Sequence, residues 1–230
     1  MSKKSINLKS KIKNNTLTLG SWITLYHPAI AEIMSKSGFD WLAIDLEHSV
    51  ISIREAEELI RVISLSGVTP LIRLTSNDRN QIKRVMDAGS HGVIVPMVNN
   101  VTDVKKAIAY SFYPPKGKRG MGLYRAQGYG DEEMKMEYIK STSRDIELFV
   151  NIESKEAIEN IDEIFDSDIS GYFLGPYDLS ASIGSPGKFE TIEFIDMEKK
   201  ILKAAEKHNV SKGIHVVEPN IESFNQKVSD

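Results

Sequence analysis

Short apolar segments alternate with longer stretches of mixed polarity along the whole chain. Each short segment is rich in Val, Ile, Leu and aromatic residues, and runs of this kind between polar stretches predict strands. The predicted strands occupy residues 18–25, 41–47, 69–74, 92–98, 148–154, 171–176 and 213–217.

The stretches between these strands carry apolar residues at the three- and four-residue spacing of an amphipathic helix. Ser52 opens one of them, and Glu55 follows three residues later, which is the pattern of a helix capping box. The predicted helices occupy residues 28–38, 52–67, 77–89, 102–112, 155–165 and 191–209, and residues 111–147 contain a long Gly-, Pro- and Arg-rich connection.

Strands that alternate with helices predict an α/β fold with a parallel sheet. No glycine-rich phosphate loop follows the first strand, which disfavours a nucleotide-binding doubly wound sheet. Polar side chains gather instead at the carboxyl ends of the predicted strands, which form the active face of a (β/α) barrel. We expect one TIM-type (β/α) barrel domain over residues 1–230, one β/α unit short of eight because only seven strands are predicted.

Composition and charge exclude several classes of partner. The net charge is −3 with Lys and Arg dispersed, so we expect no nucleic-acid partner and no polybasic membrane anchor. No apolar run reaches the roughly 18 residues of a membrane span, and no secretory signal is predicted. Cysteine is absent, which agrees with a cytoplasmic location and leaves His, Asp and Glu as metal ligands.

Two carboxylates are candidate metal ligands. Glu153 and Asp178 each lie at the carboxyl end of a predicted strand. Oxygen ligands of this kind suit a hard divalent cation such as Mg2+ or Mn2+, with substrate oxygens completing the shell. The alternative interpretation is that each carboxylate caps the helix that follows it.

Charged side chains also end two strands on the amino-terminal side of the chain. Asp45, Glu47 and His48 come together in IDLEHS, and histidine is suited to proton transfer near neutral pH. Arg73 ends the next strand, where its planar fork matches a substrate carboxylate. The alternatives are a histidine bonded to a backbone carbonyl, and an ion pair of Arg73 with Asp45 or Glu47.

Further along, Asp87 is a candidate to reach His48 across the sheet, with a solvated helix end as the alternative. The backbone N–H groups of Tyr177 and Asp178 begin a helical turn that suits a carboxylate. No lysine projects from a predicted strand, which argues against an imine-forming aldolase and favours a metal-stabilised enolate.

Together these motifs resemble the HpcH/HpaI aldolase family, the class II, metal-dependent 2-keto-acid aldolases of the 4-hydroxy-2-oxoheptanedioate and 2-dehydro-3-deoxy-sugar-acid type. The resemblance runs from about residue 17 to residue 217 and includes GFDWLAIDLEHS, VNIES and GPYDLSASIG. The matching stretches occupy residues 19–22, 38–49, 70–74, 82–98, 113–122, 125–130, 150–154 and 175–184.

The resemblance implies reversible cleavage of a 4-hydroxy-2-keto acid to pyruvate and an aldehyde through a metal-stabilised enolate, with Mg2+, Mn2+ or Co2+ as cofactor. It implies a homo-oligomer, and a 113–130 loop that shapes the aldehyde end of the pocket. The roles that it implies are metal binding by Glu153 and Asp178, and acid–base chemistry by His48 with Asp87 and Asp45. It also implies that Arg73 binds the keto acid and stabilises the enolate oxygen, and that Asn151, Tyr177 and Asp178 take part in keto-acid binding.

Two departures from the family pattern keep alternatives open. Asn151 stands where the family commonly has glutamine, and the shorter amide affects substrate orientation. The predicted elements also stop before an eighth strand. The alternatives are a lyase of the citrate-lyase or phosphoenolpyruvate type on the same barrel, and a truncated barrel without catalysis.

Overall fold

The computed structural model describes residues 8–14, 16–216 and 220–229. Its centre is one parallel sheet of seven strands, and each strand pairs with the next one along the chain. This confirms the predicted parallel α/β arrangement. The strands are β1 (Gly20–Ile23), β2 (Trp41–Asp45), β3 (Thr69–Arg73), β4 (Gly92–Val95), β5 (Glu147–Ile152), β6 (Gly171–Leu174) and β7 (Ser211–Gly213).

The helices that connect the strands cover the outside of the sheet. The Ser52–Glu55 capping box is present, with the Glu55 N–H donating to Ser52 Oγ and the Ser52 N–H donating to Glu55 Oε2. The helices are α1 (Leu8–Lys13), α2 (Pro28–Ser35), α3 (Ile53–Leu65), α4 (Arg79–Asp87), α5 (Val101–Ser111), α6 (Glu132–Asp145), α7 (Lys155–Glu159), α8 (Ile161–Phe165), α9 (Pro176–Ser182), α10 (Ile192–His208) and α11 (Ile221–Ser229).

The sheet curls so that its first and sixth strands face each other. Trp22 of β1 and Trp41 of β2 both contact Phe173 of β6, with ring centroids 5.8 and 5.9 Å apart. Such contacts between distant strands require a curved sheet with a filled interior. Among the described strands β1 and β7 each have one neighbour, so the sheet is an open, curled half-barrel and the closed TIM-type barrel is not formed.

Three elements differ from the sequence prediction. The last strand lies at Ser211–Gly213 rather than at 213–217, of which residue 217 is outside the described residues. The long connection contains a 3₁₀ segment (Arg125–Gly130) and helix α6. The helix predicted over 155–165 is divided at Asn160 into α7 and α8. In the described part of the chain no helix is long and apolar enough to cross a membrane.

Candidate active site

The carboxyl ends of β2 and β3 bring Asp45 and Arg73 together as register partners. Arg73 Nε donates to Asp45 Oδ1 over 2.8 Å, and Arg73 Nη2 donates to Asp45 Oδ2. Asp45 is buried and Arg73 is largely buried, so water does little to weaken the pair. The ion pair that the sequence offered as an alternative for Arg73 is therefore present.

Asp45 also organises the turn that follows β2. Its Oδ1 accepts from the backbone N–H groups of Glu47 (3.0 Å) and His48 (3.2 Å). Burial acts to raise the pKa of Asp45, but the hydrogen bonds and charge of Arg73 and the turn N–H groups outweigh it and lower the pKa. Asp45 is therefore an anionic anchor for both the arginine and the turn.

Glu47 and His48 project from this turn. His48 is exposed, and its Nε2 lies 3.7 Å from Glu47 Oε2. Burial and the negative charge of Glu153 raise the pKa of Glu47 to about 7, while Arg73 and His48 oppose the rise. Glu47 Oε2 has no hydrogen-bond partner in the described protein. The site therefore contains a carboxyl group that changes charge near neutral pH.

Glu153 lies directly after β5 and is 5% exposed. Its Oε1 accepts from the backbone N–H of Met97 over 2.5 Å, and Asn151 Nδ2 is 3.4 Å from its Oε2. Burial and the charge of Asp178 raise the pKa of Glu153, whereas the hydrogen bond from the Met97 N–H acts to lower it. Met97 has φ 51°, so its backbone is held in the left-handed region where it donates to this carboxylate.

Tyr177 and Asp178 lie in the first turn of α9, directly after β6, and both are exposed. Gly175 precedes them, and a Cβ at Gly175 would stand 2.7 Å from Glu153 Oε2 and 2.8 Å from Glu153 Cβ. Only glycine leaves room for the carboxylate at this junction. The absence of a side chain at Gly175 thus lets β5 and β6 present Glu153 and Asp178 to the same region.

The donor set fits a divalent cation that is completed by substrate. In the parts of the chain that the structure describes, no three His, Cys, Asp or Glu side chains form a ready-made metal cage. Two mutually repelling carboxylates, Glu153 and Asp178, are nevertheless close enough to affect one another. Asn151 Oδ1 and Glu47 Oε2 are buried acceptors without a hydrogen-bond partner in the described protein. Oxygen donors of this kind suit Mg2+ or Mn2+ and leave positions for substrate oxygens.

The structure does not bring Asp87 to His48 within one chain, so the expected reach across the sheet is wrong for a single chain. Asp87 ends α4, which runs back from the carboxyl end of β3 to the amino end of β4. His48 follows the carboxyl end of β2, at the opposite end of the sheet. Asp87 Oδ1 instead accepts from Gln127 Nε2 over 3.0 Å.

The 113–130 loop is likewise not at the carboxyl ends of the strands. Arg125 Nη1 donates to the carbonyl of Ala88 over 2.9 Å, which places this part of the loop beside the end of α4. Tyr124 Oη contacts the Glu57 carboxylate on the outside of α3. The loop therefore covers the outer helices in this chain, and the expectation that it shapes the pocket is not met within one chain.

Four residues of this region were not predicted as site residues: Trp22, Glu47, Met97 and His215. Glu47 stands in IDLEHS beside the predicted His48, and only its burial distinguishes it from an ordinary surface carboxylate. Met97 acts through its backbone, which a side-chain pattern does not reveal. Arg73 Cζ lies 4.6 Å from the Trp22 ring centroid, and the ring of His215 stacks on Trp22.

Comparison with known proteins assigns the chain to one family. Residues 18–230 match the family described as HpcH/HpaI aldolase/citrate lyase. A curated relative, the 2-keto-3-deoxy-L-rhamnonate aldolase of Escherichia coli O17:K52:H18 (strain UMN026 / ExPEC), is 33% identical over 205 residues, which are 86% of this chain and 76% of the relative.

Solved structures show the same fold. An HpcH/HpaI aldolase from Desulfitobacterium hafniense DCB-2 has a TM-score of 0.88 and 27% identity, covering 96% of this chain and 86% of the other. An HpcH/HpaI aldolase/citrate lyase family protein from Burkholderia cenocepacia J2315 also has a TM-score of 0.88, with 25% identity, covering 96% and 88% of the two chains.

Proposed function

The chain belongs to the HpcH/HpaI aldolase/citrate lyase family and is a class II aldolase, and we propose that its site reversibly cleaves 4-hydroxy-2-keto acids to pyruvate and an aldehyde. The observation that supports this site most strongly is the placing of Glu153. This buried carboxylate is held by the Met97 N–H beside the charge of Asp178 and the carboxyl group of Glu47. Negative charge concentrated in this way is relieved when a cation binds.

We assign Glu153 and Asp178 as ligands of a divalent cation, with Mg2+, Mn2+ or Co2+ as the candidates. When bound, such a cation supplies Lewis-acid stabilisation of the negative charge that develops on the keto-acid oxygens. Asn151 reaches Glu153 and keeps an unpartnered Oδ1 toward the interior. We therefore place Asn151 and Tyr177 at the keto-acid end of the pocket.

Arg73 supports the proposed binding of the keto acid. Asp45 takes the Nε and Nη2 donors of its guanidinium, which leaves the Nη1 donors for an anionic substrate. Asp45 also fixes the direction of the fork, so the substrate meets a cation that is already oriented. Binding to a pre-oriented group loses less conformational entropy than binding to a mobile surface arginine.

His48 is the group that we assign to proton transfer. Its exposed imidazole lies at the rim of the site, 3.7 Å from Glu47. Retro-aldol cleavage removes the proton of the 4-hydroxyl group as the carbon–carbon bond breaks, and the pyruvate enolate then takes up a proton. A histidine that contacts both solvent and the site can carry the first proton away, and Glu47 can stabilise the imidazolium that results.

The relative's substrate suggests which acids to test. The curated relative is named as an aldolase of 2-keto-3-deoxy-L-rhamnonate, so 2-keto-3-deoxy-sugar acids are the first candidate substrates for this chain. The identity to an aldolase favours aldol cleavage over a citrate-lyase-type reaction on the same fold. The homo-oligomer stays a prediction, which sedimentation of the purified protein measures.

The site assignment is tested by Glu153→Gln and Asp178→Asn, which keep the size of each side chain and remove its charge. Each variant is expected to weaken Mn2+ binding and to lower pyruvate release by more than about 100-fold, since a direct ligand matters at least as much as an outer-shell partner. The matched control is Asp168→Asn, because Asp168 is exposed and pairs with Lys116. Unchanged Mn2+ affinity in both site variants would refute the ligand assignment.

A further inference from the structure

His215 lies inside the curled sheet, two residues after the carboxyl end of β7. Its imidazole stacks on the indole of Trp22, with centroids 5.1 Å apart and planes 17° apart. The same imidazole lies 5.7 Å from the ring of Phe173. On the open side of the sheet it lines a cavity of about 440 Å³ between β1 and β7. His215 therefore lies on the inner side of the curled sheet and not on its outer surface.

Trp22 connects this histidine to the substrate-binding arginine. Arg73 Cζ lies over the indole at 4.6 Å from its centroid, a cation–π contact. Trp41 and Phe173 also contact the indole, in T-shaped pairs with centroids 6.4 and 5.8 Å away. Of these three aromatic neighbours, the imidazole of His215 is the one that lies nearly parallel to the indole and so packs on its face.

The charges around His215 agree with a neutral ring. Burial and the positive charge of Arg73 lower the pKa of His215, and Asp45 opposes the change. Those two groups, on β3 and β2, are the charged groups that act on the imidazole. A neutral imidazole packs beside Arg73 without repelling it, whereas a charged one would compete with Arg73 for Asp45.

We propose that His215 is a positioning residue that holds Trp22 against Arg73 and so fixes the guanidinium that receives the keto-acid carboxylate. This inference rests on the proposed role of Arg73 in substrate binding. It assigns His215 no contact with the reacting atoms and no proton transfer. The ring supplies a flat, neutral surface that stacks on the Trp22 indole between β1 and β7.

Three substitutions of His215 separate the effect of its flat ring from the effect of its ionisable nitrogen atoms. His215→Phe keeps a ring that can stack on Trp22. His215→Gln removes the ring but fills most of its volume, and His215→Ala removes the ring and leaves the volume empty. We expect His215→Gln and His215→Ala to raise KM for pyruvate in the aldol direction about fivefold, as weakening of one partly buried cation–π contact would. We expect kcat to stay within about twofold, and His215→Phe to restore the wild-type KM.

His208→Gln is the control, because His208 is also largely buried but pairs with Asp162 on the outside, with Nε2 2.9 Å from Asp162 Oδ1. It is expected to change thermal stability and not KM. Wild-type KM in all three His215 variants, or a rise of KM in His215→Phe as large as in His215→Ala, would overturn the positioning role. An inactive wild-type protein would overturn the proposed function and this inference together, whereas an active one with unaltered variants would overturn this inference alone.

Discussion

At the scale of single residues, burial decides the chemistry of Glu47, Asp45 and Glu153. The sequence places Asp45, Glu47 and His48 at the end of one strand, and this cluster is at the site. The sequence does not show how the roles of these three side chains differ. Asp45 accepts hydrogen bonds from Arg73 and from two backbone N–H groups of the turn, whereas Glu47 Oε2 has no hydrogen-bond partner among the described residues. Those differences arise from three-dimensional contacts that an IDLEHS pattern does not contain.

The raised pKa of Glu47 predicts a specific pH dependence of stability in metal-free protein. The folded protein holds the Glu47 proton up to about pH 7, whereas the unfolded chain releases it near the ordinary value of a glutamate. The contribution of Glu47 to the free energy of unfolding is therefore greatest at low pH and is lost as the pH rises toward 7. Glu47→Gln removes this loss, so the variant should gain stability relative to wild type between pH 5 and pH 7.5.

The measurement is urea denaturation of both proteins in EDTA at several pH values. Glu57→Gln is the control, because Glu57 lies on the outside of α3 and contacts Arg61 and Tyr124. A stability difference between Glu47→Gln and wild type that does not change with pH would show that Glu47 titrates as an ordinary exposed glutamate.

At the scale of elements, the junction between β6 and α9 shows how backbone chemistry positions the site. Gly175 is the residue between β6 and α9, and its lack of a side chain leaves the space that Glu153 occupies. The sequence predicted the strand and the helix start in GPYDLSASIG. It did not predict the close approach to Glu153, because that contact joins two strands whose spacing the local pattern does not specify.

Gly175→Ala should therefore damage the site more than the fold. The added Cβ would stand 2.7 Å from Glu153 Oε2, so the carboxylate must move, and Mn2+ affinity should fall by about 10-fold or more. Gly120→Ala is the matched control, because a Cβ at Gly120 meets nothing within 4 Å. Isothermal titration with Mn2+ measures both variants, and equal affinities in the two would contradict the steric argument.

Helix α6 and strand β7 show where element prediction failed. The sequence pattern predicts no helix in the long connection, because its first part is rich in Gly, Pro and Arg. The start signal of α6 was nevertheless present, since Asp131 accepts from the Met134 N–H over 2.9 Å as an N-cap. β7 begins two residues early because it pairs with β6 through Ser211, Lys212 and Gly213, a polar segment that apolar content alone does not identify.

At the scale of the whole molecule, the curl of the sheet encloses a second, inner core. Leu8 of α1 is buried among Leu71, Ile94, Phe149 and Phe173 of the strands. Alternation of strands and helices predicted the parallel sheet, and the seven strands occur in order. The closed barrel is not formed by the described strands, and pattern alone does not settle closure because it depends on whether β1 and β7 find a partner.

Leu8→Ala tests how much this inner core depends on α1. Leu8 is 3% exposed, so the truncation should lower the free energy of unfolding by about 2–5 kcal/mol through lost burial and the cavity left behind. Leu17→Ala is the control, because Leu17 is 66% exposed and its loss should cost less than about 0.5 kcal/mol. Urea denaturation gives both values. Similar small losses would mean that α1 does not seal the interior.

The most direct test of the proposed metal-dependent cleavage is pyruvate release from 4-hydroxy-2-keto acids, including 2-keto-3-deoxy-L-rhamnonate, by purified protein. The protein is assayed as isolated, after EDTA treatment, and after restoring Mg2+, Mn2+ or Co2+. We expect chelation to abolish release and at least one of these cations to restore it, because we propose that Glu153 and Asp178 would hold a cation that supplies Lewis-acid stabilisation of the keto-acid oxygens. Release that continues undiminished in EDTA, or a folded protein that binds Mn2+ and cleaves none of these acids, would contradict the proposal.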